Sequence, residues 1–424
     1  MNASPEAEAL VRPRPGRLTL FLCCQLAVLL PLGGWGLLRA TQIKAQYALP
    51  PLRPEPLVVE PRFDYEVVVT DEQLARVLAR LGLEFQGSQT RIGFTDHALR
   101  FWTPAARFAD PKLMSGEDMR RLLTDQRRFE EVYGRDADPL LIDEGRGVRV
   151  RAFEGNTSSS HVDHTLACLA EVGTPLDFPI ITSGKQTTFR AIVEQSLRDF
   201  SLNQFEYEWS ALAYVLLLPP TRSWHTSEGQ EVSFDTLAER IMRETLPRGV
   251  CSGQHRMHAL VMFLRIDDQM AETGEQRILS PPRRSQIIEY LQGITASFVR
   301  HQHPDGFWNG AWPTAAPESS TPSDREGDLL RDRIIVTGHV MEWWALAPPE
   351  ILPERTVLAS AGQWLVRTID SLSPEQLREF SSFLSHAGHA LALWRGQDPA
   401  EFVAQASVAS PAGDRPGPTP EKTP

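Results

Sequence analysis

Apolar and polar positions along this chain follow a repeating order. Five segments share a polar turn and then a small apolar run rich in Ala and Leu. They read His161-Val-Asp-His164-Thr-Leu-Ala, Phe205-Glu-Tyr-Glu208-Trp-Ser-Ala, His255-Arg-Met-His258-Ala-Leu-Val, His339-Val-Met-Glu342-Trp-Trp-Ala and His386-Ala-Gly-His389-Ala-Leu-Ala. Residues three apart lie on one helical face. His161 and His164 are therefore expected to point together, as are His255 and His258, His339 and Glu342, and His386 and His389. The apolar runs are hydrophobic almost all round, which predicts buried helices. The first four segments are each followed by Leu, Ile and Val at a period near 3.6, over 187–200, 234–245, 281–300 and 353–372. That pattern predicts helices buried on one face.

Alternating buried and half-buried helices are what an α/α-toroid needs, with inner helices around an axis and outer helices covering them. An α-solenoid is the rival, but its repeats are more regular in length. Here the second polar positions, 164, 208, 258, 342 and 389, lie 44, 50, 84 and 47 residues apart. The long interval contains an insertion over 301–335. The expected fold is all-α: an α/α-toroid over 158–396, preceded by a small mixed α subregion over 64–157. In that subregion 67–70 reads as a short strand, and 71–83 and 115–133 as amphipathic helices, the second capped by Ser115.

The two ends differ from this. Residues 18–38 carry no charge, and a helix of that length spans about 30 Å, the thickness of a bilayer core. Arg12, Arg14 and Arg17 precede it, favouring a cytoplasmic segment 1–17. A cleaved signal peptide is the rival to a transmembrane anchor. Either way the bulk of the chain is expected outside the cytoplasm, and an uncleaved anchor makes it a single-pass protein of the cell inner membrane. The Pro-rich stretch 39–63 is expected to be an extended stalk, and 397–424, rich in Pro, Gly, Ala and Ser, a disordered tail. The net charge of −11, with no basic block, argues against a nucleic-acid partner. Cys168 and Cys251 read as buried free thiols, or as a pair if their helices adjoin.

The repeat also aligns chemistry. Ser160, Thr337 and Ser385 precede the histidines and are good N-caps, so the histidines are expected in first helical turns, where the positive dipole ends suit an anionic group. Glu342 and Glu208 hold the same repeat position and are followed by Trp343 and Trp209. They are the expected acid/base pair, with His339, His258 and His389 tuning them. His161, His164, His255 and His386 are the expected ligand-binding residues, with Trp209 and Trp343. The competing reading is that histidines near caps satisfy local hydrogen bonds. Asp305 and Trp308 lie in an aromatic-rich stretch over 301–313, which reads as a ligand platform or as an aromatic plug. Cys251 with His255 and His258 is the best metal candidate, but its spacing matches no strong zinc signature. No metal is assigned. No phosphate-binding glycine loop or dinucleotide fingerprint is present, and no cofactor is named.

The run Asp305-Gly306-Phe307-Trp308-Asn309-Gly310 resembles the Asp-Gly-x-Trp-x-Gly turn of the prenyltransferase and squalene/oxidosqualene cyclase repeats, which are α/α-toroids. The His339-x-x-Glu342-Trp343 run after Gly338 resembles inner-helix motifs of N-acylglucosamine 2-epimerase-like (α/α)6 sugar enzymes. The whole chain also resembles membrane-anchored bacterial proteins with this His-rich repeat. These resemblances imply a terpenoid cyclase-like toroid without its chemistry, since the Asp-x-Asp-Asp motif of the triterpene cyclases and the metal ligands of protein prenyltransferases are not recognisable. Two functions follow. One is an enzyme acting on carbohydrate or cell-envelope polymer by acid–base chemistry. The other is a non-catalytic toroid scaffold binding a peptide or lipid-like ligand.

Overall fold

The computed structural model describes residues 16–46, 48–221, 223–226, 228–246, 250–312 and 326–409. The chain divides into two compact units, Met1–Ala48 and Leu49–Pro424. In the first, helix α1 (Arg17–Gln46) runs unbroken through Pro31. Its Arg17–Thr41 part has mean hydropathy 1.8 and no buried residues, and is long and apolar enough to cross a membrane. The helix extends past residue 38, so 39–46 is not stalk.

In the second unit the helices follow as α2 (Asp71–Arg80), α3 (Ile92–Trp102), α4 (Gly116–Thr124), α5 (Gln126–Tyr133), α6 (His164–Glu171), α7 (Phe189–Asp199), α8 (Glu208–Leu217) and α9 (Phe234–Arg243). Then come α10 (Gln254–Glu272), α11 (Pro281–His301), α12 (Glu326–Leu346), α13 (Arg355–Ser371), α14 (Pro374–Glu379), α15 (Ser381–Trp394) and α16 (Pro399–Ala409). Among the described residues, three short antiparallel hairpins, not foreseen from the sequence, pair Leu141–Asp143 with Val148–Val150, Pro179–Ile181 with Gln186–Thr188, and Trp224–His225 with Glu231–Val232. With 60% helix and 6% strand the chain is mostly helical.

Six helices form a cycle of contacts. Helix α3 packs on α6, α6 on α8, α8 on α10, α10 on α12, α12 on α15, and α15 returns to α3. Composition explains why helices of this cycle are buried. All ten residues of α8 are buried, and α15 buries the consecutive runs Leu384–Gly388 and Ala390–Trp394, which cover its whole circumference. The helices between them bury one stripe. In α11 that stripe is Ile287, Leu291, Thr295 and Phe298, spaced by four, four and three residues. Close approach of α12 and α15 depends on Gly338, where a Cβ would stand 3.1 Å from the backbone nitrogen of Ala387.

Several local expectations are corrected. The structure draws no boundary at 157: α3, within the stretch read as a separate subregion, sits in the helix cycle. Residues 49–63 are not a free stalk, because Arg53 and Leu57 donate backbone hydrogen bonds to Leu217 and Leu216. Residues 67–70 contain a turn rather than a strand. The helix expected over 115–133 breaks at Asp125, whose extended backbone ends α4 and whose carboxylate caps α5. Ser115 does cap α4, accepting from the Asp118 N–H. The tail begins with α16, whose Phe402 and Val403 pack against the core; residues 410–424 lie outside the described residues.

Helix α13 lies directly on the backbone of Val68: a Cβ on Gly362 would meet the Val68 carbonyl oxygen at 2.5 Å. Gly362→Ala should therefore destabilise the protein by about 1–3 kcal/mol. Gly293→Ala, on α11 with nothing within 4 Å, should stabilise it by about 0.5–1 kcal/mol. Urea unfolding of the two variants checks the opposite signs.

Candidate functional site

The polar turns of the cycle meet. Six imidazoles form a closed circuit with centroid separations of 4.2 Å (His97–His164), 5.5 Å (His164–His161), 5.3 Å (His161–His255), 5.1 Å (His255–His339), 3.8 Å (His339–His386) and 5.2 Å (His386–His97). They come from α3, α6 with its preceding turn, α10, α12 and α15. Helix α8 contributes Trp209 instead, 4.3 Å from His164 and 4.7 Å from His255.

Carboxylates orient these rings. Asp96 accepts from Nδ1 of His164 at 2.9 Å and of His97 at 3.0 Å, and also from Ser159 and Thr165. Glu206 accepts from Nδ1 of His161 at 2.8 Å. Glu342 accepts from Nδ1 of His386 at 2.8 Å and of His389 at 2.7 Å. An ionised carboxylate only accepts, so each of these rings carries its proton on Nδ1 and turns Nε2 elsewhere.

Beside the circuit lies a buried charge network. Arg100 donates to Glu342 at 2.6 Å, to both oxygens of Glu171 at 2.6 and 3.0 Å, and to Nε2 of His258 at 3.1 Å. Burial opposes the guanidinium's charge, but Glu171 and Glu342 outweigh it and hold Arg100 protonated. Burial would raise Glu342, yet Arg100 and then His386 hold it well below the usual carboxylate range. Glu171 is held at about 2, burial being outweighed above all by Arg100. Burial pushes His164 down to about 3 despite Asp96.

A cavity of about 120 Å³ opens beside the cluster, lined by residues including Glu206, Glu208, His255 and Arg256. Arg256 donates to Oε1 of Glu208 at 3.0 Å, while Oε2 of Glu208 is buried without a hydrogen-bond partner. Burial raises the Glu208 carboxyl. Phe205, also in the cavity lining, is 66% exposed, and exposed Phe153 sits 6.3 Å from it and 6.1 Å from His161.

The sequence-predicted residues divide accordingly. His161, His164, His255, His339, His386, Trp209 and Glu342 share the circuit or touch it, and His258 and His389 hang on the Arg100–Glu342 network. Glu208 stands on the cavity wall. Trp343 is buried and donates to Gln254 at 3.1 Å. Asp305 is exposed on an outer turn, and Trp308 is 1% exposed with its Nε1 donating to the Phe298 carbonyl. Trp312 stacks on Phe298 at 4.1 Å, so the described part of the insertion is an aromatic plug and Trp308 is no platform. The expected caps are also corrected. Thr337 and Ser385 lie inside α12 and α15, which begin at Glu326 and Ser381, and Asp163 precedes α6. His339 and His386 are thus mid-helix, away from any dipole end. Cys168 and Cys251 are both free.

Sequence reasoning passed over Asp96, His97, Arg100, Glu171 and Glu206. A signal existed for α3: His97-Ala98-Leu99-Arg100 has the same spacing as His255-x-x-His258, with Arg in the second place. No known protein family matches the chain, and no characterised protein or solved structure was found to be similar to it.

His164 and Glu171 both have folded values below their ordinary 6.5 and 4.5. The unfolded chain therefore binds more protons, and their stabilisation is complete above about pH 6.5 and lost as pH falls. In this cluster Asp96 and Glu342 act in the same sense as Glu171, against Glu208 with its raised carboxyl. The thermal midpoint should fall steadily from pH 7 to pH 4. A midpoint that stays level across that range would contradict the assignment.

Proposed function

We propose that this chain is a membrane-tethered α/α-toroid enzyme performing proton transfer on a carbohydrate or cell-envelope polymer. Helix α1 would hold it in the inner membrane by a single pass, with the second unit outside the cytoplasm. The toroid reading is supported by the six-helix cycle and by the alternation of buried with one-sided helices along the chain.

The observation that carries the catalytic reading is Glu208: a cavity-lining carboxyl, raised by burial, with one oxygen held by Arg256 and the other unpartnered. A cleft carboxyl whose protonated form is favoured by burial suits a general acid. The neighbouring base is His161, whose Nδ1 is held by Glu206, leaving Nε2 to take a proton. Glu342 leaves the expected acid/base pair. Bound by Arg100, His386 and His389 and held ionised, it is a positioning residue. Phe153 and Phe205 take the platform role expected of Trp308, offering exposed faces to a sugar ring. The cavity has room for a few waters, so it would admit a reacting group or chain end and leave the rest of the polymer outside. A scaffold for a lipid-like ligand calls for an apolar funnel, and the Glu206, Glu208 and Arg256 lining speaks against one.

Glu208→Gln should lower turnover of envelope glycans by about 10²–10⁴-fold with little change in KM. Wild-type protein that binds such glycans without turning any over would contradict the reading.

A further inference from the structure

We propose that Cys251, His255 and His339 form a site for one zinc-class divalent transition metal, with a fourth position reached from the cavity. One donor atom from each lies within 4.8 Å of the others. Two imidazoles on one tetrahedral ion, with metal–nitrogen bonds of about 2.0–2.1 Å, have ring centres roughly 5 Å apart. His255 and His339 are 5.1 Å apart. Both rings are more than nine-tenths buried, at 7% and 3% exposure, and Nε2 of each has no hydrogen-bond partner. Buried ring nitrogens are normally satisfied, and a metal ion satisfies two at once.

The chain sets Cys251 there at a local cost. Cys251, Ser252 and Gly253 follow one another with φ of 49°, 55° and 75°, a left-handed run that non-glycine residues rarely adopt. This turn lays the thiol at the start of α10, four residues before His255. Two tryptophans hold it: Trp312 Nε1 donates to the Ser252 carbonyl at 3.1 Å, and Trp343 Nε1 to the Gln254 side chain at 3.1 Å. Beyond the site, Nδ1 of His339 faces Glu342 at 3.7 Å, in the manner of a carboxylate orienting a ligating histidine.

Among the described residues, two other groups have metal-like spacing, and each is accounted for without an ion. In Asp96, His97 and His164 the donors bond to one another. In His339, Glu342 and His386 the carboxylate is already engaged by Arg100, His386 and His389. A thiolate with two imidazoles selects zinc-class ions over calcium or magnesium, and three protein ligands with an open position are the arrangement of reactive rather than structural zinc. His255 belongs both to the site and to the cavity lining. The site rests on its own geometry, independent of the proton-transfer reading.

The test uses the full chain in detergent, stripped with chelator and titrated with Co²⁺. One equivalent should bind, giving a thiolate-to-cobalt charge-transfer band and intense visible bands of a tetrahedral ion. Cys251→Ser should abolish the charge-transfer band, and His255→Asn or His339→Asn should weaken binding by roughly 100-fold or more. Cys168→Ser, which alters the cluster's other thiol, should leave the spectrum unchanged. X-ray absorption of the zinc-loaded wild type needs no variant and should give one sulfur at about 2.3 Å with nitrogen or oxygen near 2.0 Å. Failure to bind, a sulfur-free shell, or a band lost in Cys168→Ser and kept in Cys251→Ser would overturn the site. Glu208→Gln should keep the spectrum whatever it does to turnover, so the two readings fail separately.

Discussion

The second unit depends on a buried guanidinium. Arg100, 5% exposed on α3, is answered by Glu342 on α12 and Glu171 at the end of α6. Isolated, such a charge in a helix core costs several kcal/mol. Matched by two carboxylates, it fixes how three helices meet. A change that leaves any of these groups alone strands a charge in the interior, so the three helices have little freedom to slide.

The same network orders the histidines. Because Glu342 is held ionised, its oxygens take Nδ1 of His386 and His389 and turn those rings. Asp96 does this for His97 and His164, and Glu206 for His161. Fixing Nδ1 leaves the Nε2 edges for chemistry. Beside these rings, His255 and His339 keep Nε2 atoms without a hydrogen-bond partner among the described residues.

Much of this was legible in the chain. The all-round apolar runs announced α6, α8, α10, α12 and α15, and the one-sided stripes announced α7, α9, α11 and α13 within a few residues. Helix α3 was missed as a sixth repeat because Arg100 stands where a His or Glu was sought. The caps failed for a local reason: the stretches 326–336 and 381–384, before Thr337 and Ser385, contain no proline, and those helices begin earlier. Glu206 and Phe153 were invisible because both sit on loop backbone with φ of 57° and 63°, which no periodicity marks. Trp308 was legible only as a choice between plug and platform, and packing on Phe298 decided it.

The Arg100–Glu342 pair ties the cycle together. A double-mutant cycle with Arg100→Met and Glu342→Gln, followed by chemical denaturation in detergent, tests it most directly. Each single change should cost about 3–5 kcal/mol, since it strands a buried charge. The double variant should be less destabilised than the sum of the two by more than about 1 kcal/mol. Costs that add to within about 0.5 kcal/mol would contradict the account.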